Sequence, residues 1–280
     1  MGIFDDAGEV VRTRDRDRYV ADLFAPAPVR KHLFALHAFD LEIARIPTMV
    51  SQPALGEIRL QWWRDALAAG DGSGNPVAAA VIETLRAFAL PPAALDMLIE
   101  ARTFDLYDDP MPTLDALEGY AGETASAALQ LAAIVLAGGR DPGSADAAGH
   151  GGVGQTMVSL LQALASDPRA AKYVPDELLL KHGVGRSELM ARKPSREVRA
   201  VLADLRAVAR RHLDRAAAAL ATLPPATAPT FLPLAIADAR LARLEQNAAN
   251  PFGSPDLPAW RRLWIIWRSA RQQRRAGRTS

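Results

Sequence analysis

Segment after segment of this 280-residue chain places its apolar side chains at helical spacing, and that periodicity limits the possible folds more than any other feature. Leu33, Leu36, His37, Phe39 and Ile43 trace one helical stripe; Val198, Val201, Leu202, Leu205 and Val208 trace another. Alanine, the strongest helix former, fills many positions between them, and runs of alternating β-branched residues are missing. The chain is therefore expected to be all-α. Breaks fall at Pro26–Pro28, Gly70–Asn75, Pro91–Pro92, Asp108–Pro112, Gly138–Ser144, Leu223–Pro229 and Asn250–Pro255, which predicts about nine or ten helices. No break is long enough to tether two domains, and no fixed-period repeat occurs. The expected layout is an N-terminal tail over 1–14, one helical domain over 15–248, and a basic, tryptophan-rich C-terminal helix and tail over 249–280.

Composition excludes several classes of function. With 33 basic and 32 acidic residues there is no overall field to recruit nucleic acid. The absence of cysteine removes disulfides, thiolate metal sites and a cysteine nucleophile together. His32, His37, His150, His182 and His212 show no zinc-binding spacing and are expected on the surface or in the core. Ser126 and Ser159 lack a G-x-S-x-G setting, which disfavours a hydrolase triad. Asp5, Asp6 and Glu9 stand where a signal or transit peptide avoids acids, so a bacterial cytoplasmic location is expected. No apolar run approaches the ~20 residues that span a bilayer, which leaves peripheral contact with the inner face of the plasma membrane.

The stretch GHGGVGQT, Gly149–Thr156, fits the phosphate-loop pattern at every fixed position except the lysine, which is Gln155. A phosphate loop needs a strand to deliver its glycines and a lysine to neutralise charge, and this stretch has neither. A plainer reading is that Gly149, Gly151, Gly152 and Gly154 let a helix start or pass close to a neighbour. The wider segment also resembles the second aspartate-rich helix of the squalene/phytoene synthase family, G-x-x-x-Q-L-T-N-I-L-R-D-x-x-x-D closing with Y-L-P. Gly151, Gln155, Leu160, Tyr173 and Pro175 fall in matching places. In LFALHAFDLEIARIP, Leu36, Ala38 and Phe39 resemble the family's L-Y-A-F; Arg59–Leu67 and Asp105–Tyr120 resemble two further family segments. The resemblance spans roughly residues 15 to 245.

It implies a single-domain isoprenoid-synthase helical fold around a central cavity. Enzymes of the family join two prenyl diphosphates head to head, with Mg²⁺ held by aspartates at i and i+4 on two facing helices. Here the first D-D-x-x-D falls on Ala44, Arg45, Ile46, Pro47 and Thr48, and the second pair on Gln162 and Ser166, or on Ala163 in a register shifted by one. Asp40 and Glu42, two apart on a helix, point to different sides, and Arg45 would repel a cation. Asp105, Asp108 and Asp109 read as a solvated helix end rather than a metal site. The expectation is no catalytic residue, no metal and no cofactor. Mg²⁺ enters only if the chain is a prenyltransferase with atypical ligands.

By resemblance the cavity is lined by Phe39, Glu42, Arg45, Trp62, Arg64, Asp105, Tyr120, Glu123, Gln155 and Gln162, with apolar faces carrying Phe39, Ile43, Trp62, Leu129 and Leu161 turned inward. Glu123, among small residues, is expected to be a buried acid paired with Arg45 or Arg64. Trp62 and Trp63 lie about 100° apart on a helix, so one is core and the other borders a groove. A branch of the family with these losses and similar LEIAR and LQWWRD text is the assembly factor of respiratory complex I. That resemblance implies a binding protein whose partner is a complex I subunit or assembly intermediate. The alternatives are the atypical prenyltransferase and a carrier of an isoprenoid or quinone lipid.

From Pro255 onward seven arginines face Asp256 alone, and Trp260, Trp264 and Trp267 repeat at i, i+4 and i+7. Either the indoles dock on the domain and the arginines are solvated, or Trp260, Arg261, Trp264, Trp267 and Arg268 contact an anionic membrane surface.

Overall fold

The computed structural model describes residues 2–253 and 256–276, with side chains up to Gln273. Among these residues the structure is helical throughout, with no strand. Its helices are α1 (Ile3–Arg14), α2 (Arg16–Asp22), α3 (Ala27–Ala44), α4 (Ile46–Met49), α5 (Pro53–Ala69), α6 (Pro76–Ala87), α7 (Pro92–Ala101) and α8 (Leu114–Ala121). After these come α9 (Ala127–Leu136), α10 (Ala145–Ser166), α11 (Asp176–His182), α12 (Arg186–Met190), α13 (Arg196–Leu220), α14 (Ala228–Gln246) and α15 (Ala259–Ala276). Each expected break separates two helices. Further breaks at Asp15, at Arg45, between Val50 and Gln52, and at Asp167 bring the number above the nine or ten expected. Pro47, Pro53 and Pro168 stand in the first turn of the element that follows three of these breaks, and at Asp15 and Asp167 the carboxylate accepts the N–H of Arg18 or Arg169 and starts the next element.

Local chemistry sets the other ends. Asn75 and Ser195 cap α6 and α13 by accepting backbone N–H groups. Gly70 ends α5 with φ of 64°, in the left-handed region that a side chain disfavours. The central element is α10. It lies along α13 and also meets α9, α14 and the π-helical turn Gly122–Ser126. Three of its glycines permit these approaches. A methyl group on Gly151 would come within 2.7 Å of Leu234 on α14, one on Gly154 within 2.8 Å of Leu213 on α13, and one on Gly152 within 2.3 Å of the Ser126 backbone. Gly149 has open space, so the close-approach reading holds for three of the four glycines.

Two boundary expectations are corrected. Residues 1–14 are not a tail: α1 buries Ala7, Gly8 and Val11 against α3 and α6, because its apolar positions form a stripe despite the surrounding charge. Nor is the C-terminal segment separate, since Leu257, Ile266 and Ala270 share a core cluster with Ala21 of α2 and Leu232 and Ile236 of α14.

Candidate functional site

A cavity of about 680 Å³ opens between the C-terminal end of α3, α4, the turn Arg102–Leu106, α8 and its π-helical turn, and one face of α10. On α10 that face is Gln155, Ser159 and Ala163, one helical row that reaches Asp167 just past the helix end. Opposite lie Ala44, Pro47 and Thr48.

The wall carries Arg18, Arg102, Arg169 and Lys172 against Asp40, Asp105, Asp108 and Asp167, four charges of each sign. At its centre the buried Asp40 carboxylate accepts from Arg18 Nη1 at 2.9 Å and from Arg102 Nη2 at 3.2 Å. Burial alone would raise its pKa, but the two guanidiniums overcome this and hold the carboxyl below its ordinary value. Arg102 also donates to Tyr120 Oη at 2.8 Å and to Asp105 at 3.3 Å. Asp105 in turn accepts from the hydroxyls of Tyr120 at 2.9 Å and Tyr173 at 2.6 Å. Burial, reinforced by the Asp105 carboxylate, pushes the Tyr173 phenol well above its ordinary value, so it remains a donor. Lys172 is spent on the carbonyl oxygens of Asp105 and Tyr107 at 3.1 and 2.6 Å, and burial lowers its pKa. Asp167 is paired with Arg169 at 3.0 Å.

This donor set does not fit a magnesium ion, which requires several convergent, unengaged carboxylate oxygens. The first acidic motif's positions do reach the cavity, but as Ala44, Pro47 and Thr48. For the second, the shifted register is the one that faces the cavity, through Ala163 and Asp167, while Gln162 lines a smaller cavity of about 160 Å³. Among the described residues no group of three or more His, Asp or Glu is arranged to hold a metal ion.

Of the ten residues expected on the cavity, Asp105, Tyr120 and Gln155 line it. The others are corrected. Phe39 is buried in the core, edge-on to the equally buried Trp63. Trp62 is 41% exposed, on the outer face of α5. Glu42 faces away and pairs with Arg14 and Arg45, so the cation that would repel a metal is not Arg45. Arg64 bridges to Asp96 and Glu100 on α7. Glu123 is exposed rather than buried, and neither arginine reaches it. The apolar lining also comes from other residues than expected: Ile43 and Leu161 fill the core, none of the five apolar residues named for it lines the cavity, and Pro47, Val50, Leu106, Leu117 and Leu160 do. The sequence reading missed Arg18, Asp40 and Arg102 as a unit. It also missed the contact of His150 on α10 with His212 on α13, Nδ1 to Nδ1 at 3.1 Å, and the buried pair of His37 Nδ1 with Asp22 at 2.7 Å.

Comparison with known proteins agrees with this geometry. A family description, squalene/phytoene synthase, matches residues 11–268, and the chain belongs to that family. It is 30% identical over 242 residues to the Bos taurus protein named NADH dehydrogenase (ubiquinone) complex I, assembly factor 6, covering 85% of this chain and 72% of that one. Among solved structures it superposes on a dehydrosqualene synthase in complex with ligand with a TM-score of 0.83 at 14% identity, covering 98% and 97% of the two chains. It superposes on squalene synthase HpnC from Alicyclobacillus acidocaldarius with a TM-score of 0.76 at 21% identity, covering 89% and 95%. The fold is thus the squalene/phytoene synthase helical fold.

Proposed function

We propose that this protein works by binding, as a complex I assembly factor of synthase-like fold, and does not condense prenyl diphosphates. The observation that carries this reading is the Asp40 carboxylate. It is a buried acid of the wall, both of its oxygens are taken by Arg18 and Arg102, and of the positions that would hold a metal Ala44, Thr48 and Ala163 carry no carboxylate while the remaining acid, Asp167, is paired with Arg169. Ionising a prenyl diphosphate requires charge stabilisation placed at the leaving group, and a wall whose arginines are engaged by Asp40, Asp105 and Asp167 offers little of it. The name of the bovine relative supplies the direction of the alternative.

The test is deletion of the gene, followed by measurement of NADH:quinone activity and of assembled complex I, with complementation by the intact protein. A loss of both, restored by the gene, is expected. Unchanged complex I, or squalene, presqualene diphosphate or phytoene formed by purified protein with Mg²⁺ and prenyl diphosphates, would overturn the reading. The lipid-carrier alternative keeps its volume, in a lining that mixes apolar side chains such as Val50, Leu106 and Leu160 with charged and hydroxyl groups.

A further inference from the structure

Helix α15 has two faces that the sequence alone does not tell apart. The inward face is Arg262, Ile266 and Ala270, spaced by four. Ile266 and Ala270 enter the core cluster with α2 and α14. Arg262 joins an ionic clamp: its Nε lies 3.0 Å from Asp17 and its Nη1 3.1 Å from Asp256, while Arg240 of α14 lies 3.5 Å from each. Apolar packing and clamp together fix the rotation of α15 on the body. The opposite face is thereby held outward. On it Trp260, Trp264 and Trp267 are 70%, 49% and 44% exposed, and Arg261, Arg268 and Arg271 stand exposed among them. The Arg268 guanidinium lies over the Trp264 ring and that of Arg271 over Trp267, at 5.2 and 4.0 Å from the ring centres.

We propose that this face is a preformed site for an anionic lipid surface. Indoles favour the membrane interface, where the ring meets acyl chain and the N–H meets headgroup; arginines beside them reach phosphate oxygens. A uniform sign of charge selects this occupant over a protein. From Leu257 to the end of the chain there is no acidic residue, so the whole outer face is positive, as an extended anionic plane requires. Among the described residues no helix is long and apolar enough to cross a membrane, which makes the contact an in-plane one. The inference stands independently of any role in complex I.

Truncation before α15 is the wrong test, because it would uncover Leu232 and Ile236. The full chain is floated with vesicles of phosphatidylcholine alone and with added phosphatidylglycerol, across a salt series, alongside two variants. One is Trp260→Ala/Trp264→Ala/Trp267→Ala and the other Arg261→Glu/Arg268→Glu/Arg271→Glu. All six side chains are exposed, so both variants are expected to retain the wild-type helical spectrum and melting. Wild type should bind the anionic vesicles, release with salt, and show tryptophan quenching by brominated acyl chains. The arginine variant should bind at least roughly a hundredfold more weakly, the scale set by losing three cations near an anionic surface before the three added carboxylates are counted. The tryptophan variant should lose stable binding. Equal binding to both vesicle types, binding by either variant at wild-type strength, or no quenching would overturn the proposal. So would a wild type that ignores anionic vesicles while the tryptophan variant impairs complex I assembly in cells, since the face would then meet a protein.

Discussion

Gly152 offers the sharpest test of how α10 is packed. A Cβ at this position would lie 2.3 Å from the Ser126 nitrogen, 2.3 Å from its Oγ and 2.5 Å from its Cα. Those distances fall short of ordinary contact by about 1 Å, and two of the three atoms are backbone, which cannot rotate away. Relief would require moving the π-helical turn off α10, against the hydrogen bond that Ser126 Oγ donates to the Gly149 carbonyl at 2.9 Å. Overpacking a core costs about 1–3 kcal/mol where side chains alone must yield, and a backbone clash belongs at or above the top of that range. Replacing a helical glycine by alanine returns about 1 kcal/mol of helix propensity. Gly152→Ala should therefore destabilise by about 2–3 kcal/mol. Gly149→Ala supplies the control: it lies on the same helix with nothing within 4 Å, and should gain up to about 1 kcal/mol. Urea unfolding of the two variants beside wild type decides it, a difference in midpoint at unchanged slope giving the free energy. If both substitutions stabilise alike, the close approach of α10 to the turn Gly122–Ser126 is wrong.

Asp40→Ala would leave the Arg18 and Arg102 guanidiniums facing each other in the wall, and removal of one member of a buried ionic group costs about 3–5 kcal/mol, so urea unfolding should show a loss on that scale. A change within about 0.5 kcal/mol would mean that water already serves these groups. Burial, aided by His150, lowers the His212 pKa in the folded chain against the opposing pull of Glu118, so the unfolded chain takes up the proton first as pH falls. The stability tied to this group is complete above its unfolded value of 6.5 and is lost as pH drops towards the lower folded value. The melting temperature should thus fall from pH 7 to pH 5.5, and fall less in His212→Asn; equal slopes would remove His212 as the cause.

Much of the helix plan was legible because it rests on local signals: apolar stripes, alanine between them, and glycine or proline at the breaks. The all-α fold and the family's cavity followed from these and from the motifs around Gln155 and Phe39. The ionic centre was not legible, since it joins residues 22, 62 and 68 positions apart on separate elements. Arg18 in particular sits in the run RTRDRDR, which reads as solvated charge, yet α2 turns it into the wall. Glu123 was misplaced for a different reason. The turn Gly122–Ser126 is π-helical, and each residue beyond the α-helical repeat rotates the later positions by about 100°, so a 3.6-residue reading loses phase there. With Trp260, Trp264 and Trp267 the spacing named one face correctly, but only the burial of Ile266 and Ala270 shows which way it points.

The residues that stand in place of the acidic motifs also account for the open cavity. Where two facing rows of carboxylates would need a metal to hold them together, this chain has Ala44 and Thr48 on one side and Ala163 on the other, beside an Asp167 already paired with Arg169. Small side chains leave the volume open and impose no like-charge repulsion, so no ion is needed to keep the helices in place. Several of the wall charges are balanced by direct pairing, Asp40 with two arginines and Asp167 with Arg169. An interior whose charges are paired in this way can keep its shape as a rigid platform. That rigidity extends outward: Asp17 and Arg240, which clamp α15, also line the smaller cavity, and that cavity shares Gln155 and Ser159 with the large one. The tryptophan face is therefore fixed to the body through the same side chains that wall its interior, and membrane contact at α15 would set the orientation of the whole helical body rather than tether it loosely.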